Sequence, residues 1–65
     1  MNKYIKVYLN TGSELEIKCS TITECKYTYE YILTAIKDNV PSITTGEYDD
    51  VFIKCNDIIA VKIFW

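Results

Sequence analysis

Residues 58–65 are apolar in both phases of a strand: Ile59, Val61, Ile63 and Trp65 fall on one face, and Ile58, Ala60 and Phe64 fall with Lys62 on the other. A strand apolar on both sides has to be covered on both sides. A chain of 65 residues has room for one domain, and its small core barely outweighs the entropy of ordering it. The remaining pattern offers one short helix, enough to cover one face of a small sheet. The second face then either meets another protein surface or is swallowed by a sheet that curls on itself. The first alternative is the expectation, and it makes Phe52, Ile58, Phe64 and Trp65 an oligomer interface.

Upstream the order of elements is legible from periodicity. Residues 3–10 alternate strictly, with Ile5, Val7 and Leu9 on one face and Tyr4, Lys6 and Tyr8 on the other, which is the pattern of a half-buried strand. Asn10, Thr11, Gly12 and Ser13 supply a tight turn. A second strand over 14–20 points Leu15, Ile17 and Cys19 inward and Glu14, Glu16 and Lys18 outward, giving Lys6 an acidic neighbour across the hairpin. Between 21 and 26 the alternation blurs and reads as a bulge, bend or loop. Thr28 then caps a helix over 28–38 whose Tyr29, Ile32, Leu33 and Ile36 share one face, with Glu30, Thr34 and Lys37 on the wet side. Asn39, Val40 and Pro41 end it. Residues 42–50 form a loop with a short strand at 43–45, and Val51, Ile53 and Cys55 alternate with Phe52 and Lys54 before Asn56 and Asp57 turn the chain. The expected fold is a single α+β domain over 1–65 of order ββαββ, a curved antiparallel sheet, SH3-like or a partly open barrel, packed on one short helix.

Composition narrows the chemistry. The chain has no histidine and no arginine, and its seven basic residues, all lysine, face nine acids for a net charge of −2. Without arginine it lacks the planar fork that reads phosphate and guanine, and without histidine it lacks the usual proton shuttle at neutral pH. Nucleic-acid binding and acid–base catalysis are both disfavoured. Cys19, Cys25 and Cys55 form an odd set with no CxxC pair and no histidine to complete a tetrahedral site, so no metal and no cofactor are implied. Each cysteine reads as a small buried hydrophobe with a free thiol, which points to a reducing cytoplasm. No signal peptide is expected before the first strand, and no run approaches the ~20 apolar residues of a membrane span.

Three surface constellations remain. Glu47, Tyr48, Asp49 and Asp50 group acids around an aromatic ring, a composition suited to a basic protein partner. Tyr4, Lys6 and Tyr8 on an exposed strand face have the chemistry of a stacking platform for single-stranded nucleic acid. Tyr27 and Tyr31 sit toward the rim of the helix, where they can line a pocket between helix and sheet. Together with Tyr4, Lys6 and Tyr8 they make a candidate face for a nucleotide-like ligand held at a subunit boundary.

The order of hairpin, helix and terminal strand pair resembles small curved-sheet folds of the SH3-like kind. In Sm-like proteins the helix comes first and a glycine-bearing signature closes the chain, whereas here the helix is central and the last strands contain no glycine, so no functional residue is transferred. The composition is also similar to that of small accessory proteins of phages and mobile elements of low-GC bacteria. The expectation is a non-enzymatic, homo-oligomeric protein-binding or inhibitory module. A small-ligand binder and a single-strand nucleic-acid binder are the alternatives.

Overall fold

The computed structural model describes residues 3–46 and 50–64. Two strands open the chain, β1 (Lys3–Leu9) and β2 (Glu14–Cys19), followed by helix α1 (Ile22–Lys37) and strands β3 (Ser42–Thr45), β4 (Val51–Lys54) and β5 (Ile58–Phe64), with a 3₁₀ turn at Cys55–Asp57 between the last two. The α+β class holds, and the expected ββαββ order gains one strand, because the short stretch at 43–45 is a full strand. The sheet is not one curved unit: β2-β1-β5 form a three-stranded antiparallel sheet and β3-β4 a separate two-stranded one. Among the described residues no helix is long and apolar enough to cross a membrane.

The β1–β2 hairpin follows the alternation. Ile5 sits opposite Ile17 and Val7 opposite Leu15, and Ile5, Val7 and Ile17 are buried. The turn is closed by Leu9 N–H to the Ser13 carbonyl at 2.9 Å and Gly12 N–H to the Leu9 carbonyl at 3.0 Å. Gly12 takes φ +91°, a conformation open to glycine at no steric cost.

Strand β5 pairs with β1, and its register settles the puzzle of the doubly apolar segment. Tyr8 faces Ala60 while Leu9 faces Ile58, leaving Ile59 as the extra residue of a β-bulge. A bulge shifts the side-chain phase by one. Ile58, Val61 and Ile63 therefore all pack against the core, while Ile59 is left 68% exposed. Two expectations fail here for one reason. Ile58 belongs to the core side and not to an outer interface, and Ile59 lies outside although strict alternation placed it with Val61 and Ile63.

Helix α1 is capped seven residues before the expected cap, Thr28, which lies within the helix. Its N-cap is Thr21, whose Oγ1 accepts a hydrogen bond from Glu24 N–H at 3.1 Å, the first half of a T-x-x-E capping pattern. Cys25, Ile32 and Ala35 are its buried residues, with Tyr29 and Ile36 packed beside them. Leu33, expected in the core, is 41% exposed, because extending the helix to Ile22 centres the apolar stripe on Cys25 and Ile32. The C-terminus ends as expected at Asn39. Asn39 adopts φ +58°, its N–H reaches the Ile36 carbonyl at 3.2 Å, and Val40 N–H reaches that of Ala35 at 2.9 Å, a Schellman closure.

The early helix start also changes the cysteines. Cys19 at the end of β2 and Cys25 on the first turn of α1 are joined by a disulfide, with Cα atoms 5.4 Å apart. This corrects the expectation of three free thiols and removes the ground on which a reducing compartment was expected. Cys55 is free and buried, and burial pushes its thiol pKa up. It is a neutral core residue, as expected of it.

One cluster joins the layers: Ile5, Val7 and Ile17 from the large sheet, Cys25, Ile32 and Ala35 from α1, and Ile43, Ile53 and Cys55 from the β3–β4 unit. The β3–β4 pair, in register Ile43 with Ile53 and Thr45 with Val51, is anchored by Cys55 N–H to the Pro41 carbonyl at 3.0 Å. The end of β3 lies alongside the N-terminal half of α1.

Candidate functional site

Four residues on one flank of α1 form a single stripe: Glu24, Tyr27, Thr28 and Tyr31, at relative positions i, i+3, i+4 and i+7, with Thr28 half-buried beside the core face and the other three exposed. Opposite them lies the end of β3, with Thr44, the buried Thr45, and Gly46. Together they enclose an open groove of about 370 Å³. Tyr27 is 73% exposed and Tyr31 43%. One helical turn apart, the two tyrosines both line the groove, with Tyr27 largely and Tyr31 partly exposed to solvent.

The floor is neutral and the charge is of one sign. Thr28 and Thr44 bring hydroxyl groups, and Glu24 is the charged side chain among the lining residues. Gly46 takes φ +96°, and a Cβ there would lie 2.6 Å from Asp50 Oδ1 and 3.2 Å from Val51 Cγ2. Glycine is therefore required at this end of the groove, and the exposed Asp50 lays its carboxylate against it. A second, smaller cleft of about 270 Å³ is lined by Lys26, Tyr29, Glu30 and Ile63, where opposite charges share one surface.

The candidate residues are redistributed by this geometry. Tyr27 and Tyr31 do line a pocket between helix and strand. Tyr4, Lys6 and Tyr8 do not join them, since they project from the opposite face of the β2-β1-β5 sheet, away from α1. On that face the Tyr4 ring stacks on Phe64 with centroids 4.7 Å apart, and Lys62 Nζ stands 5.1 Å from the Phe64 ring centre. Lys6 Nζ pairs with Glu14 Oε1 at 3.6 Å, the acidic neighbour expected of the hairpin. Glu14, more than any other group, holds the Lys6 ammonium pKa above its usual value. Two of the three platform residues thus have partners already, in the cross-strand packing that exposed sheet faces ordinarily use.

Of the acidic segment, Glu47, Tyr48 and Asp49 lie outside the described residues, while Asp50 is exposed, with its carboxylate beside Gly46. Of the expected interface, Trp65 lies outside them too. Phe52 is 60% exposed, but it stands on the two-stranded sheet, whereas Phe64 is half-buried on the outer face of the three-stranded one. Of the lining residues, Glu24, Thr28, Thr44, Thr45 and Gly46 were not among the candidates offered by the sequence. Thr21 and Glu24 in T-x-x-E spacing were the signal that would have started the helix early enough to put Glu24 on the tyrosine stripe. No family model matches the chain, and no curated protein or solved structure matches it significantly.

Proposed function

We propose that this protein acts by stoichiometric binding of another protein, with the groove between α1 and β3 as its contact surface. The observation that carries this reading is the exposed tyrosine pair: Tyr27 at 73% exposure on the rim of a formed groove. Tyrosine supplies large contact area at low entropic cost and is enriched where proteins meet. The test is site-specific photo-crosslinking in the native host, with a photoreactive amino acid placed in turn at Tyr27, Tyr31, Lys37 and Glu16. The expected result is a discrete one-to-one adduct from the first two positions and none from Lys37 at the helix end or Glu16 on the outer sheet face. Adducts from the two control positions alone, or from all four alike, would contradict it.

Self-association through the edge of β5 accompanies this reading. Strand β5 is an edge strand, seven residues long with Lys62 its only charge, and an unpaired apolar edge is a template for another strand. The opposite edge, β2, is protected by the exposed Glu14, Glu16 and Lys18. A two-fold antiparallel pairing centred on Val61 sets Ile59 opposite Ile63 and Ala60 opposite Lys62, which keeps the two lysines apart. Ile59→Lys changes a side chain already in water, so the fold should survive while the oligomer dissociates. Native mass spectrometry of wild type and variant reads this directly. A wild-type monomer, or a variant whose assembly is unchanged, would exclude the β5 edge.

A further inference from the structure

We infer that the α1–β3 groove receives a cationic side chain, best fitted by the guanidinium of an arginine presented by a basic segment of the partner protein. The assignment rests on the groove being a docking surface and adds the chemistry of what docks.

Three features select a cation. The aromatic residues come first: Tyr27 and Tyr31 line the groove and are exposed, and the face of a tyrosine ring attracts a cation through its quadrupole and stacks a planar guanidinium. Then the charge is one-sided. Glu24 lines the groove, and the Asp50 carboxylate lies beside Gly46, one of the lining residues, without itself lining the groove. Neither carboxylate has an ion-pair partner among the described residues, where the one salt bridge is Lys6–Glu14 on the opposite side of the sheet. Finally, the remaining lining residues include Thr28 and Thr44, a residue type whose hydroxyl oxygen can accept hydrogen bonds from a donor-only group such as guanidinium.

The same features turn away an anion. A nucleotide-like ligand would find stacking faces here, but no lysine lines the groove to offset its phosphate charge. The positive end of the helix dipole does favour anions, yet that influence falls off within the first turn. Glu24 already occupies the first turn. The chain as a whole, at net charge −2, draws positive partners from a distance.

The test uses two probes: an acetylated, amidated Gly-Arg-Gly-Arg-Gly peptide and its citrulline counterpart, which keeps the shape and the urea-like hydrogen bonds but lacks the charge. Each is titrated into the isotope-labelled full-length protein while backbone amide shifts are followed. The arginine peptide is expected to move Glu24, Tyr27, Tyr31, Thr44 and Gly46, with the citrulline peptide roughly tenfold weaker, the size of one lost charge-assisted contact. Glu24→Gln keeps the backbone N–H that Thr21 caps, so the helix stays intact. It should weaken the arginine peptide to a similar degree, and Tyr27→Ser should do the same by removing one of the two rings. Equal binding of the two peptides, shifts spread over all exposed acids, or an unaffected Glu24→Gln protein would each overturn the cation assignment. Cross-linked adducts at Tyr27 together with any of these results would leave the docking surface standing with a different occupant.

Discussion

Ile32→Ala is expected to remove about 3 kcal/mol or more of stability, while Leu33→Ala, one residue along, removes less than about 1 kcal/mol. Ile32 is fully buried at the centre of the cluster that joins helix and sheets, so truncation leaves a cavity that three surrounding layers cannot all close. Leu33 is 41% exposed, and alanine is the better helix former. Domains of this size hold only about 3–10 kcal/mol in total, so the first variant should be partly unfolded at physiological temperature and the second close to wild type. Urea denaturation followed by circular dichroism separates the two. Comparable losses would mean that the helix presents the face anticipated from a start at Thr28, and the tyrosine stripe of the groove would then be misplaced as well.

Removing the Cys19–Cys25 link should cost about 2 kcal/mol, the chain-entropy value for a short closed loop. That corresponds to a fall in Tm of roughly 8–16 °C in a domain this small. The link ties the end of β2 to the first turn of α1 across a sequence separation of six, so its loss should fray the start of the helix before the hairpin. Thermal melts with and without reductant, and of the Cys19→Ser/Cys25→Ser variant, measure the effect. A thiol count checks the bond itself. Under non-reducing denaturing conditions Cys55 alone should react, and three thiols should react after reduction. In the folded protein even Cys55 should stay silent, because it is buried and its neutral form is favoured. Three reactive thiols before reduction, or unchanged melts, would show that the cysteines are not paired.

The parts of the fold visible in the sequence are those governed by local periodicity. The β1–β2 hairpin needed only strict alternation and a glycine turn, and Asn39 at the helix end announced its left-handed cap. The helix start was obscured because Ile22 and Cys25 were tested against a period of two, in which they clash. In a period of 3.6, Cys25, Tyr29, Ile32 and Ile36 form one stripe. The bulge at Ile59 has no local signature, since an inserted residue in an apolar run still looks apolar on both faces. What looked like a demand for a second covering surface is in large part a phase shift that returns Ile58 to the core.

The site was legible only in pieces. Tyr27 and Tyr31 were anticipated at a helix–sheet boundary, and the acids ending at Asp50 as a partner surface. That the two tyrosines share a groove with Thr44, Thr45 and Gly46 depends on β3 lying beside α1, a contact between segments with no pattern in common. The link to Tyr4, Lys6 and Tyr8 failed for a topological reason. Side chains at alternate positions of β1 point to opposite faces, and once Ile5 and Val7 face the helix the tyrosines of that strand cannot.

The measurement closest to the central claim is a backbone amide shift map of the labelled protein titrated with the partner recovered by cross-linking at Tyr27. Perturbations should concentrate on residues 24–31 and 44–46, with Tyr4, Lys6, Tyr8 and Glu16 unmoved. Perturbations centred on the outer face of the β2-β1-β5 sheet, with the groove amides silent, would contradict it.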